Sequence, residues 1–165
     1  MDVMGGLLAE FDHEMSVARR MLERVPDASF AWKPHEKSFS LGGLATHLAQ
    51  LPRWGSHILA NDFYDLASSG PRTATLPAIA DVLAVFDGHV ADVRRHLTSL
   101  PATGLEATWS LKRGNETMMS MPRLTAFRRF VVGHAIHHRG QLSVYLRLLD
   151  VAVPGAYGPS ADELM

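Results

Sequence analysis

Four stretches of this chain repeat apolar residues at steps of three and four, which is the spacing of an amphipathic α-helix. In the first stretch, Phe11, Met15 and Leu22 fall on one face. Ser40 precedes the second stretch, and its hydroxyl can accept a hydrogen bond from the free backbone amides at a helix start. The predicted helices cover residues 3–25, 41–61, 76–99 and 122–150. They predict an all-α fold, a four-helix bundle, and a single domain over residues 1–165.

The segment TWSLKRGNETMMSM, between the third and fourth predicted helices, has a different pattern. Apolar and polar residues partly alternate on either side of Gly114 and Asn115, and such a pair suits the two-residue turn of a β-hairpin. The sequence therefore predicts a small β-hairpin between helices 3 and 4. The tail VAVPGAYGPSADELM is rich in glycine and proline, and it is predicted to lie extended over the helices.

Composition narrows the class of function. The chain carries a net charge of -1 with a pI near 6.7, so its charge does not favour nucleic acid or an anionic membrane as a partner. No run approaches the roughly 18 apolar residues of a membrane span, and acidic residues stand where a secretory signal has a basic start. The chain contains no cysteine, which excludes disulfides, thiolate metal ligands and a cysteine nucleophile. We therefore expect a cytoplasmic protein with a small-molecule partner.

The last predicted helix contains the most unusual segment, GHAIHHRGQ. At about 100° per residue, His134 and His138 lie on one helix face, and the same stripe holds Gln141 and Tyr145. This geometry predicts that both histidines occupy the middle of the core-facing stripe. Four arginines are predicted to point to the opposite, solvated side: Arg128, Arg129, Arg139 and Arg147.

Two imidazoles one helical turn apart can bind one metal ion, although a catalytic metal commonly has three protein ligands. His47 is the best third ligand, since it projects from the apolar face of the second helix with Leu44 and Leu51. The alternative is that these imidazoles are ordinary core residues that satisfy one another through hydrogen bonds and water. Spacing alone leaves both interpretations open.

The motifs around these histidines resemble those of the DinB/YfiT-like family of metalloenzymes. HAIHHRGQLSVYLRLL resembles the closing helix of that family, where two histidines with three residues between them precede Arg-Gly-Gln-Leu. WKPHEKSFSLGGLATHLAQ resembles its Trp-x-Pro segment, which leads into a helix with a single histidine. YGPSADE resembles the endings of some members, and together the matches span residues 30–163 in the family's order.

The resemblance implies a four-helix bundle, often a homodimer, in which three histidines hold a divalent metal ion. Nickel, zinc and iron all suit imidazole ligands, and the sequence does not select among them. Carried over by position, the ligands are His47, His134 and His138, whereas His137 stands where relatives have other residue types. The best-understood relatives use a low-molecular-weight thiol, which they transfer to an electrophile or use to assist an isomerisation. The resemblance thus implies a metal-dependent S-transferase with a thiol as cosubstrate. A metal-dependent hydrolase and a non-catalytic metal-binding or stress-associated module are the alternatives.

An all-imidazole site suits thiol chemistry. Three neutral imidazoles leave the charge of an ion undiminished, so a thiol or water bound there would be strongly acidified. Gln141 is a candidate for orienting His138, and Tyr145 and His137 are candidates for proton transfer. For Gln141, Tyr145 and His137, ordinary packing or a position at the rim of the site is the alternative.

Overall fold

The computed structural model describes residues 3–70 and 74–163, and within these ranges the chain is mostly helical with a small three-stranded sheet. Helices and strands follow in the order α1 (Val3–Leu22), α2 (Leu41–Ala60), β1 (Phe63–Asp65), α3 (Ile79–Ser99), β2 (Thr108–Arg113), β3 (Glu116–Pro122) and α4 (Arg123–Phe127). A π-helical turn (Arg128–Val132) and α5 (Gly133–Leu148) complete the last helical segment, 123–148. Each of the four predicted helices is present, with ends that lie within a few residues of the predicted ones. Within the described ranges, no helix combines the length and apolar character needed to cross a membrane.

The helix directions follow from the contacts between them. Arg19 of α1 pairs with Asp87 of α3, and Asp12 of α1 pairs with Arg94 of α3, so these two helices are antiparallel. Gly55, in the second half of α2, lies against Phe127 and Val131, just before and within the π-helical turn. His47, in the first half of α2, contacts His134 of α5, which comes later in the chain. Helix α2 and the last segment are therefore also antiparallel. These contacts place α2 and the last helical segment side by side. The sequence predicts the metal site between these two helices.

Local capping sets the start of α2 as predicted. The Ser40 side chain accepts a hydrogen bond from the Gly43 backbone N–H at 3.1 Å. The loop before the helix is held as well, because the backbone amides of Leu41 and Gly42 donate to the carbonyls of Trp32 and Phe30. A Cβ atom on Gly42 would lie 2.7 Å from the Phe30 ring, so only glycine allows this close approach.

The predicted hairpin is confirmed, and the sheet has one strand more than predicted. Strands β2 and β3 pair antiparallel around a turn in which Gly114 has a φ of 58°, a conformation that glycine adopts without strain. Strand β1 adds to the other edge of β2 in parallel. With three residues, β1 is too short for its alternation to stand out in the sequence. The Gly114 N–H donates to the Asp65 carboxylate at 2.8 Å and so ties the hairpin turn to β1.

Arg123 anchors the start of the last helical segment to the end of α2. Its side chain is 6% exposed, and it donates to the backbone carbonyls of Ile58, Asn61 and Gly104. It also pairs with the Asp62 carboxylate at 2.9 Å. A charged side chain buried with this many acceptors fixes the end of α2 against the start of the last segment.

The π-helical turn changes which face of the last segment is buried. A π turn carries one more residue between hydrogen-bonded partners than an α turn, so every later side chain is displaced around the helix axis. Uniform α-helical spacing from Phe127 predicts a buried stripe of positions 134, 138, 141 and 145. The buried residues of α5 are Ala135, His138, Arg139, Leu142 and Leu146. Apart from His138, each of them lies one position after a residue of the predicted stripe. The prediction of a central histidine stripe is therefore wrong: His138 is buried, His134 is half-buried, and both lie on the flank of the buried face.

The prediction that all four arginines face solvent is wrong for Arg139. The other three predicted arginines are exposed, but Arg139 is 3% exposed and donates to the Glu14 carboxylate of α1 at 2.7 Å. The Tyr157 hydroxyl accepts from Arg139 at 2.8 Å and donates to the Glu14 carboxylate at 3.0 Å. The physical reason is the displaced helix phase, which turns position 139 toward α1. Glu14 lies three residues after Phe11 on the apolar face of α1, and this acid in an apolar stripe is a sequence signal for a buried partner.

The tail has no helix or strand over residues 151–163 and packs against α1 and α5. Its backbone carbonyl at Gly155 accepts from Arg20, and its Asp162 carboxylate accepts from Arg147 and from the Val153 N–H. The prediction that the tail lies over the helices agrees with these contacts, but the tail bends at residues 156–158 and turns at 161–163, so it is not extended throughout. The last two residues of the predicted tail lie outside the described residues.

Candidate metal centre

Three histidines from two helices meet between α2 and α5, and we call them the histidine triad: His47, His134 and His138. One ring nitrogen of each lies within 4.8 Å of those of the other two, and their chemistry and spacing could hold a metal ion. The ring centroids are 4.5 Å apart for His47 and His138, 5.3 Å for His47 and His134, and 4.7 Å for His134 and His138. The structure thus brings together the three residues that the sequence singles out.

The separation of the two α5 nitrogens fits a shared ion. The Nε2 atoms of His134 and His138 are 2.9 Å apart. Two imidazole nitrogens that each lie about 2.1 Å from one ion are separated by about 3.0 Å when they subtend a right angle, and by about 3.4 Å in a tetrahedral arrangement. Shifts of a few tenths of an ångström would therefore let these two nitrogens share a metal ion.

Hydrogen bonds at the outer ring atoms orient both α5 imidazoles. The Nδ1 atom of His138 lies 2.7 Å from the Gln141 side-chain oxygen, so Nδ1–H donates and Nε2 keeps its lone pair for the triad. The His134 imidazole hydrogen-bonds the backbone of Phe130, one turn earlier. Burial, followed by the nearby His137, lowers the pKa of His134 below its usual value of 6.5. A neutral imidazole at neutral pH is the form that binds a metal.

Phe39 forms one wall of the triad. Its ring stacks on His47 at 5.5 Å between centroids and meets His138 edge-on at 6.3 Å. The Tyr145 hydroxyl donates to the Phe39 backbone carbonyl at 3.3 Å, and the Tyr145 ring packs edge-on against Trp32. Phe39 thus shields the histidines on one side, and Tyr145 holds the loop that carries it.

The three candidates for supporting roles occupy different surroundings. Gln141 contacts His138 directly, as described above. Tyr145 is half-buried and engaged with the Phe39 loop, which favours a structural contribution by its hydroxyl. The His137 ring is exposed and lies 4.8 Å from that of His138, at the rim of the triad. Asp162 and Glu163, the tail acids that could serve hydrolysis as a base, bind Arg147 and the backbone N–H groups of the tail instead.

A cleft of about 580 Å³ opens beside the triad. It runs along α2 from Phe39 and His47 to His57 and Tyr64, and it includes the aromatic side chain of Trp54. This volume is that of a site for a small organic molecule. His47 therefore joins two features, since it belongs to the triad and also lines the cleft.

The fold and the triad together define a protein of the DinB type. A family model described as the DinB family matches residues 1–164, and the chain belongs to that family.

Relatives and solved structures agree with this assignment. The chain is 23% identical over 160 residues to the uncharacterized protein YrdA of Bacillus subtilis strain 168, with 94% of this chain and 89% of the relative covered. It is similar in fold to the crystal structure of a DinB-like protein, YjoA, from Bacillus subtilis, with a TM-score of 0.70, 16% identity, and 92% and 96% of the two chains covered. It is similar also to a DinB-like protein from Bacillus cereus ATCC 10987, with a TM-score of 0.71, 20% identity, and 93% and 97% covered. At these identities the solved structures support the fold alone.

Proposed function

We propose that this protein is a metal-dependent transferase that uses a low-molecular-weight thiol, with the ion held by the histidine triad. The observation that carries the proposal is an all-imidazole cluster at the edge of a small-molecule cleft, in a chain without cysteine. Imidazole donors suit nickel, zinc and iron, and availability in the cell selects among them. When bound, such an ion supplies a Lewis acid that lowers the pKa of a thiol into the neutral range.

The residues of the chain would contribute orientation and exclusion of water. Gln141 holds the His138 ring in the tautomer that binds a metal, and Phe39 shields one side of the triad from solvent. In the reaction itself, the sulfur of the thiolate forms a bond to an electrophilic carbon while the leaving group takes the electrons of the bond that breaks. The proton of the thiol passes to solvent.

Two observations favour transfer over the alternatives. The tail acids that hydrolysis could use as a base are bound to Arg147 and to backbone N–H groups. A purely structural metal site is normally closed by four protein ligands, whereas the group that the described residues assemble offers three. A site with an open position is suited to a substrate.

The test is consumption of a thiol in the presence of a generic aryl halide, with metal-loaded protein compared with chelated protein. Several bacterial thiols should be tried, and a variant of the triad, His134→Ala, should behave like the chelated protein. His96→Ala, a half-buried histidine of α3 that contacts Asp92, is the matched control and should keep the activity. Equal rates with and without metal for every thiol would refute the proposal. Cleavage of esters or amides without a thiol would point to hydrolysis instead.

We further infer that the helices pack as the four-helix bundle of the family and that the protein works in the cytoplasm as a homodimer. Val144 and Leu148 support a subunit interface, since they lie one turn apart on α5 and are 56% and 59% exposed. Apolar side chains of this size are commonly covered where two subunits meet. Light scattering on the purified protein should give twice the mass of the chain, and a monomer at micromolar concentration would contradict this inference.

A further inference from the structure

The cleft has two chemically different ends. One end carries His47 of the triad, and the other is formed by Arg53, His57 and Tyr64. Between them lies an aromatic wall in which the ring of Trp54 is 4.6 Å from that of Tyr64, and the Tyr64 ring is 4.7 Å from that of His57. A ligand in this cleft therefore meets a metal-binding cluster at one end, apolar surface in the middle, and the Arg53 side chain at the other end.

Arg53 gives the far end an uncompensated positive charge. Among the described residues that line the cleft, Arg53 alone is an arginine, lysine, aspartate or glutamate. Arginines on α1, α3 and the last segment pair with carboxylates, whereas Arg53 is exposed and has no salt bridge to any residue in the described ranges. Burial, followed by the charge of Arg53, lowers the pKa of both His57 and His89, so the positive charge of Arg53 acts on both neighbouring imidazoles.

Two acids lie near this end, and both are engaged elsewhere. Arg53 also borders a smaller depression that includes Asp62 and Asp65. Asp62 pairs with the buried Arg123, and Asp65 accepts hydrogen bonds from the backbone N–H groups of Ala67 and Gly114. The guanidinium of Arg53 thus remains available to a ligand.

We propose that the Arg53 end of the cleft binds the carboxylate of a small organic acid whose apolar body lies along Trp54 and Tyr64. A guanidinium binds a carboxylate through two parallel hydrogen bonds, which gives orientation as well as affinity. Arg53 lies six positions after His47 on α2, which is about 9 Å along the helix axis. That the acid is the substrate rests on the proposed function. That the acid binds at Arg53 does not.

The experiment compares three probes with the same apolar body and different end groups: 4-phenylbutyrate, its neutral amide, and 4-phenylbutylamine. Calorimetric titration of the protein as purified should show that the acid binds about tenfold or more tightly than the amide, which is the usual effect of a charge-assisted hydrogen bond, and that the amine binds most weakly. In Arg53→Gln, the acid and the amide should bind equally. Arg53→Lys should keep part of the preference, because it keeps the charge and loses the planar fork.

Arg113→Gln is the matched control, because Arg113 is exposed at the end of β2, away from the cleft, and its loss should leave all three affinities unchanged. Each variant should unfold at the wild-type temperature, since both arginines are at the surface. Repeating the titration with a chelator separates carboxylate binding at Arg53 from binding to a metal, and the preference for the acid should survive.

Three results would overturn the inference. They are equal affinities for the acid and the amide, a preference that persists in Arg53→Gln, and the absence of measurable acid binding to the wild type at millimolar concentration. If the acid binds as expected while no thiol is transferred, the carboxylate site stands and the proposed function fails. If thiol transfer depends on metal while Arg53→Gln binds the acid like the wild type, the proposed function stands and the carboxylate site fails.

Discussion

Breaking the buried pair between Glu14 and Arg139 should destabilise this protein strongly. The two side chains are 9% and 4% exposed, and they join α1 to α5. Replacing Glu14 with glutamine keeps the shape of the side chain and leaves the guanidinium of Arg139 buried without a counter-charge. Removal of one partner of a buried ion pair costs about 3–5 kcal/mol, and the Tyr157 hydroxyl that remains as an acceptor places the loss near the lower end, about 3 kcal/mol.

Thermal unfolding followed by circular dichroism measures this loss. For a protein of this size, about 1 kcal/mol lowers the unfolding midpoint by roughly 2–4 °C, so Glu14→Gln should lower it by roughly 6–12 °C. Glu10→Gln is the matched control, because Glu10 pairs with Arg128 across the same two segments, with side chains 36% and 55% exposed. An exposed pair contributes about 0–1 kcal/mol, and its loss should shift the midpoint by a few degrees at most. Equal shifts in the two variants would show that burial of an ion pair does not determine how much stability is lost when one partner is removed.

Three further predictions concern the triad and the tail. Replacing any one member of the triad with alanine should remove most of the bound metal measured by elemental analysis, whereas His137→Ala should keep it; full occupancy without His47 would mean that another residue is the third ligand. Gln141→Ala should weaken metal affinity about 10–100-fold in a chelator competition, and unchanged affinity would show that the His138 hydrogen bond has no such role. Arg147, followed by the Val153 N–H, lowers the pKa of Asp162 from 3.8 to about 2, so its contribution to tail docking is complete above about pH 4 and is lost as the pH falls toward 2. Amide exchange in the tail should therefore rise between pH 4 and pH 2, and release already at pH 5 would contradict this.

The sequence predicts the helices and the His134/His138 pair because both depend on local rules, whereas His47 is added by its apolar helix face and by the resemblance to the DinB family. Apolar spacing marks each helix, the Ser40 cap sets the start of α2, and a spacing of four residues fixes His134 and His138 relative to each other whatever the helix phase. Strand β1 is missed because it has only three residues and its partner β2 is distant in the sequence. The buried Arg139 is missed for a different reason, since its direction depends on a change of helix phase several residues earlier.

The π-helical turn accounts for that change of phase and also for the arrangement of the site. With regular α-helical spacing, Gln141 would join the buried stripe, and Arg139 would face solvent. Because of the π turn, Arg139 meets Glu14 instead, and Gln141 lies on the flank where it reaches the Nδ1 atom of His138. Gly133 closes the turn, and a Cβ atom there would lie 3.2 Å from the Arg128 carbonyl oxygen. The salt bridge and the orientation of the triad therefore share one structural cause.

A one-residue deletion tests this account. Removing the exposed Arg129 from the π turn should convert it to regular α-helix while every later side chain keeps its direction, so metal content and the effect of Glu14→Gln should both be retained. Removing the exposed Gly140, within regular α5, should rotate Leu142 and Leu146 out of the core by about 100°. Exposing these two leucines costs about 3–6 kcal/mol, enough to lower the midpoint by more than 6 °C. If both deletions are equally damaging, the π turn does not set the phase of the helix, because deletion of its extra residue would then be no different from deletion in an ordinary helix.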